Sequence, residues 1–345
     1  MRRLALVLPL CGCTVGVGLR VEFDGSTSDV SSSSASSPEA SSSDSTSSSV
    51  VDDSSSGDDE SSSTGDPVPS GPTRYPSDVV HSPITAQVTE RMLAVREAGP
   101  AQADDVFMKA GASSDVATAN LHCFADDAFE LGEHRALAGV LDVFRAGDAA
   151  GASPFDRTSL ATQSGRSAGW AIDGEPSPLV AELDAIAPSL AFVHFGTNDM
   201  ELGVDPGTAL PGFHLAMSTL LDTLEQAGTV PIVLGLTKRA DDPDADRWIP
   251  AYNAVLRGMA QARQVPFVDV WLAAFPLPNH GLGDDGLHLE SYAQGACVLD
   301  DEGVQHGYNM RNLIQLEALA RVDAALVEGL PPGGDELPPV PGLGD

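Results

Sequence analysis

The chain has 345 residues and a formal charge of −32 at pH 7, with 50 acidic side chains against 18 basic ones. That balance argues against nucleic acid as a partner, because polyphosphate is bound by the Lys and Arg that neutralise it, and an anionic membrane repels such a chain for the same reason. The hydrophobic share of 42% is ordinary for a folded protein, but it is unevenly spread.

Met1-Arg2-Arg3 and the apolar run 4–10 have the basic-then-apolar order of an export signal, predicted to occupy residues 1–23. The run is too short to span a bilayer, which takes roughly 20 apolar residues. It ends in Leu10-Cys11-Gly12-Cys13, which resembles the lipobox of bacterial lipoproteins. That resemblance implies a lipid on Cys13, and with it membrane attachment through an N-terminal anchor alone. A plain secretory signal or a misassigned start codon is the alternative. The location expected is outside the cytoplasm, either anchored at a bacterial cell envelope or secreted. Residues 24–71, dominated by Ser, Asp, Gly and Thr, carry too little apolar surface to offset the entropy of ordering and are expected to be a disordered linker.

From 72 to 331 the composition is that of one domain, and the Pro- and Gly-rich residues 332–345 read as a disordered tail. Short apolar runs alternate with longer amphipathic ones, as when parallel strands are joined by crossover helices. Strands are predicted at 105–109, 139–144, 190–195, 230–236 and 266–270. Helices are predicted at 213–227, where Leu220, Leu221 and Leu224 recur at helical spacing before Gly228, at 252–263, and at 309–327, with Leu313, Leu316, Leu319 and Val322 on one face. The fold class is therefore an α/β/α sandwich of three layers with a central parallel sheet, whose ligand sites lie beyond the carboxyl ends of the strands. Gly111-Ala112-Ser113, Gly196-Thr197-Asn198-Asp199 and the loop after the fifth strand stand at such ends.

In that last loop, Asp285-Gly286-Leu287-His288 sets a carboxylate three residues from an imidazole. On a turn, the carboxylate can fix one ring nitrogen and leave the other free as a general base, although the same residues also suit a solvated turn. Asn198, at the abrupt end of an apolar run, can offer its amide to a developing oxyanion or simply cap a helix. His194 reads as a hydrogen-bonded core residue, and Lys109, Trp170, Trp248 and Trp271 as packing residues first and pocket walls second.

Taken in order, Gly111-Ala112-Ser113, Gly165, Gly196-Thr197-Asn198-Asp199 and Asp285-Gly286-Leu287-His288 resemble the blocks of the SGNH, or GDSL-like, hydrolase family across nearly the whole folded region. The resemblance implies that family's flavodoxin-like fold and a catalytic relay of Ser113, His288 and Asp285. It also implies an oxyanion hole made by the backbone N–H groups of Ser113 and Gly165 with the Asn198 side chain. The implied reaction is cleavage of acyl or acetyl esters of a small molecule, glycan or lipid, without metal or organic cofactor. No spacing in the chain suggests a metal site or a nucleotide fingerprint. One position departs from the pattern: the family usually reads Gly-Asp-Ser, and Ala112 stands where the Asp belongs. A weakened hydrogen-bond network at the nucleophile turn is expected from this, and Ser114 is a second available hydroxyl.

Cys11 and Cys13 fall in the signal, which leaves Cys123 and Cys297 as a candidate disulfide or as two buried thiols. Two other functions compete with the esterase. One is a non-catalytic surface protein that keeps the fold and binds a glycan or protein partner, which Ala112 favours. The other is a metal-dependent phosphoesterase, for which the chain offers too few clustered ligands. A monomer is expected.

Overall fold

The computed structural model describes residues 72–329. The predicted export signal with Cys13, the linker at 24–71 and the tail at 332–345 lie outside the described residues.

Four parallel strands form one sheet in the order β1 (Ala103–Gly111), β2 (Pro188–His194), β3 (Val230–Leu234) and β4 (Phe267–Val268). Phe107 pairs with Leu190, Phe192 with Ile232 and Leu234 with Val268. Every residue of β2 and β3 is buried. Successive side chains of a strand point to opposite faces, so both faces are covered and the sheet is the middle of three layers.

Helix α1 (Ala86–Ala98) precedes β1, and α2 (Ser113–Val116), α3 (Ala138–Ala146), α4 (Ala168–Ala171) and α5 (Pro178–Ile186) lie between β1 and β2. Helix α6 (Pro206–Gln226) joins β2 to β3, while α7 (Pro243–Asp246) and α8 (Ile249–Arg263) join β3 to β4. Helices α9 (Val270–Ala274) and α10 (Gly307–Glu328) close the domain.

Residues 139–144 are not the predicted strand but part of α3. Leu137, Val140, Leu141 and Phe144 are buried while Gly139, Asp142 and Val143 are exposed. That is a period of 3.6 rather than a continuous apolar run, and it buries one face of a helix. Helix α6 starts seven residues before the predicted point because Asp205 and Thr208 form a capping box and Pro206 occupies the first turn. Strand β4 is shorter than predicted. Asp269 accepts a hydrogen bond from the Leu272 N–H at 3.0 Å and thereby starts α9 where the strand was expected to continue.

Cys123 and Cys297 form a disulfide whose Cα atoms are 5.8 Å apart. It ties the turn after α2 to the segment leading into α10 across 174 residues, a long loop whose closure restricts the unfolded chain.

Candidate active site

The carboxyl end of β1 passes directly into α2. Ala112, non-helical at φ −113° and ψ −143°, makes Ser113 the first helical residue, so the Ser113 N–H has no partner within the helix. Gly111 is required here because a Cβ would run into the Asp115 carboxylate. Ser113 Oγ lies 2.8 Å from His288 Nε2, and His288 Nδ1 lies 2.7 Å from Asp285 Oδ2. The remaining Asp285 oxygen accepts from the backbone N–H groups of Leu287 and His288 at 3.0 and 2.9 Å. The hydrogen bond from His288 and these two N–H groups hold the Asp285 carboxyl down to about 2. Gly286, at φ +68°, makes the turn and its carbonyl accepts the Asp241 N–H at 3.1 Å, which anchors the loop to the end of the β3–α7 segment.

Thr162 bridges Gly111 in parallel, and Gln163 N–H donates to the Gly111 carbonyl at 3.2 Å, which sets the 162–166 turn beside the segment that carries Ser113. Gly165 adopts φ +74° in that turn, a conformation glycine takes without strain. The Asn198 amide donates one N–H to the Arg166 carbonyl at 3.1 Å, leaving its second N–H uncommitted. Asn198, Ser113 and His288 line one cavity of about 20 Å³, together with Ala112, Gly196 and Thr237; Gly165 sits on the adjoining turn and does not line it. A larger groove of about 830 Å³, walled by Trp248, Glu201 and Asp205, contains none of Ser113, Asp285 and His288. Trp170 packs beneath the Arg166 guanidinium and Trp271 against Phe275.

Two side chains support the Asn198 loop, Asp199 from within the Gly196-Thr197-Asn198-Asp199 block and Arg239 from outside any motif. Asp199 is buried and accepts the Ala168 N–H at 3.0 Å; burial raises its carboxyl to about 6. Arg239 donates to the Thr197 carbonyl at 3.3 Å while held by Asp241 through two 2.8 Å contacts.

The weakened network expected from Ala112 is corrected by a carboxylate further along the chain. Asp115, in the same helix as Ser113, is buried, with Arg311 Nη2 2.5 Å from Oδ1 and His194 Nδ1 2.9 Å from Oδ2. Burial pushes the Asp115 carboxyl up, but Arg311 and His194 outweigh it and leave the group below its usual range. His194 is thus the buried, hydrogen-bonded residue predicted, and it also lines the Ser113 cavity. Buried Lys109 donates to the Phe155 carbonyl at 2.9 Å, with burial lowering its ammonium to about 8. The signal for this cluster was an acid two residues past the serine, but its partners on β2 and α10 are too distant in sequence to be paired by inspection. Among the described residues, no group of three or more His, Cys, Asp or Glu is disposed to hold a metal ion, and no helix is long and apolar enough to cross a membrane.

Residues 144–294 match the model of the GDSL-like lipase/acylhydrolase family. The matched stretch includes Gly165, Asn198, Asp285 and His288 and begins after Ser113. No curated protein matches the chain. A GDSL-like lipase from Bacteroides thetaiotaomicron superposes at 15% identity and a TM-score of 0.39, covering 67% of this chain and 97% of that one. The esterase EstA from Pseudoalteromonas does so at 13% and 0.39, covering 62% and 99%. An acetylxylan esterase from Geobacillus stearothermophilus does so at 14% and 0.39, covering 61% and 92%. At such scores these likenesses carry no argument about this chain's substrate.

Proposed function

We propose, from the premise that this chain carries a GDSL-like lipase/acylhydrolase domain and is an ester-hydrolysing enzyme, that it is an exported serine esterase with Ser113 as nucleophile. The observation that carries the reading is the unbroken relay from Ser113 Oγ through His288 to Asp285, with contacts of 2.8 and 2.7 Å. In it His288 Nε2 takes the Ser113 proton as Oγ attacks the ester carbonyl, and later returns a proton to the leaving alcohol. Asp285 keeps Nδ1 protonated and offsets the charge of the imidazolium. The tetrahedral oxyanion is held by the Ser113 and Gly165 N–H groups and by the uncommitted N–H of Asn198, where a single donor contributes about 3 kcal/mol to the transition state. Water then attacks the acyl-enzyme by the same base. No cofactor enters this chemistry.

Export is supported by Arg2-Arg3 before an apolar run and by the Cys123–Cys297 disulfide, since such bridges persist in oxidising compartments. We assign Cys13 as the lipid attachment point and the monomer as the working form. The substrate is a carboxylic ester of a small molecule, glycan or lipid.

The purified protein is expected to hydrolyse p-nitrophenyl acetate and to be labelled on Ser113 by a fluorophosphonate. Ser113→Ala should abolish both, and Ser114→Ala neither. A folded wild type that neither turns over nor labels would leave the non-catalytic binding protein as the better reading.

A further inference from the structure

We infer that Asp115, gripped by Arg311 and His194, is the positioning residue of the nucleophile turn and stands in for the motif carboxylate missing at Ala112. This inference rests on Ser113 being the nucleophile.

Three titratable groups are sequestered here, Asp115, Arg311 and His194, with exposures of 2%, 1% and 7%. A buried ion pair is a poor device for stability, because an apolar set of the same volume packs at least as well. Its value lies in fixing geometry, and the geometry it fixes is that of the turn carrying Ser113. Asp115 and Ser113 share one four-residue helix, whose first turn is closed by the Asp115 and Val116 N–H groups on the Ala112 carbonyl at 3.0 and 3.1 Å. The Asp115 carboxylate fills the space beside Gly111, so the glycine two residues before the serine is braced against a side chain two residues after it. That side chain is clamped from two directions, by His194 at the carboxyl end of β2 and by Arg311 on α10. The clamp therefore joins the end of β1 to the end of β2 and the closing helix directly under the cavity that Ser113, His194 and His288 share.

His194 makes its contribution through one nitrogen. Nδ1 serves Asp115, whereas Nε2 is buried with no partner among the described residues. A side chain with a donor at the Nδ1 position should consequently replace the ring, and one without it should not.

Asp115→Asn and His194→Phe are the decisive variants, with His194→Asn as the conservative control because its amide reaches the Nδ1 position. Displacement of Ser113 Oγ by about 1 Å costs on the order of 100-fold in rate. The expected result is a fall of that order in kcat for Asp115→Asn, with KM for p-nitrophenyl acetate unchanged and the fluorophosphonate labelling rate falling in proportion. His194→Phe should lose about 10-fold or more, and His194→Asn should recover most of it. Each is measured on protein that melts cooperatively. Folded Asp115→Asn and His194→Phe with kcat near wild type, or with only KM raised, would overturn the inference and mark the cluster as structural. If Asp115→Asn does not fold, the His194 pair decides by the same criterion. An inactive, unlabelled wild type would instead sink the esterase reading and this inference with it, whereas active, unaffected variants sink only the inference.

Discussion

Asp285–His288 and Asp115–His194 are the same chemical pair in opposite settings around one serine turn. The first lies in a single Gly-containing turn, with the Asp285 and His288 side chains 54% and 36% exposed. The second joins two strands' ends across 79 residues, buried, with Arg311 completing it. Exposure leaves the His288 ring accessible from solvent. Burial with a permanent guanidinium holds Asp115 in one charge state and one place. In the proposed reading, identical residue types thus divide into a chemical pair and a mechanical one, and the neighbours decide which is which.

The comparison is broken most sharply by activity. His288→Ala should reduce kcat by about 1,000-fold or more, and Asp285→Asn by about 100-fold or more, both without loss of folding. A turnover assay showing less than a tenfold effect for His288→Ala would place the chemistry elsewhere. The reverse asymmetry is expected in stability. Removing Arg311 as Arg311→Ala strands a buried carboxylate and should cost about 3–5 kcal/mol, whereas Asp285→Asn, on the exposed pair, should leave the urea midpoint close to that of the wild type. Equal midpoints for the two variants would erase the distinction.

Asp199 sharpens the same contrast with a smaller effect, since it is buried like Asp115 but has no ion pair among the described residues. Its carboxyl is raised to about 6. A folded-state value above the unfolded one near 4 means the protonated acid favours the fold. That contribution is fully present below pH 4 and is lost as pH rises through about 6, a change of up to about 3 kcal/mol. Asp199→Asn keeps an acceptor for the Ala168 N–H and has no such titration. The stability of the wild type relative to this variant should therefore decline between about pH 4 and pH 6; a flat difference would show that folding does not raise the Asp199 carboxyl.

The readable part of the site was the part made of short, contiguous blocks. Asp285 and His288 are three residues apart, and Asn198 ends the apolar run of β2, so spacing and patterning exposed both. Reading failed where one cue had two meanings. Residues 139–144 are apolar enough for a strand, and only the phase of the exposed Asp142 and Val143 makes them α3. It failed again at Ala112, where a missing acid suggested a missing network although Asp115 lay three positions on.

By itself the sequence determined the four central strands, the long helices and the parallel α/β class, and it offered the residues proposed as the reacting groups, because periodicity and motif chemistry are local properties of the chain. The tertiary structure alone decided that Ser113 meets His288 across 175 residues, that Arg311 reaches Asp115 across 196, and that Cys123 and Cys297 bond. Those pairings depend on how the helices pack on the sheet, a collective balance of burial and charge that no single stretch of the chain encodes.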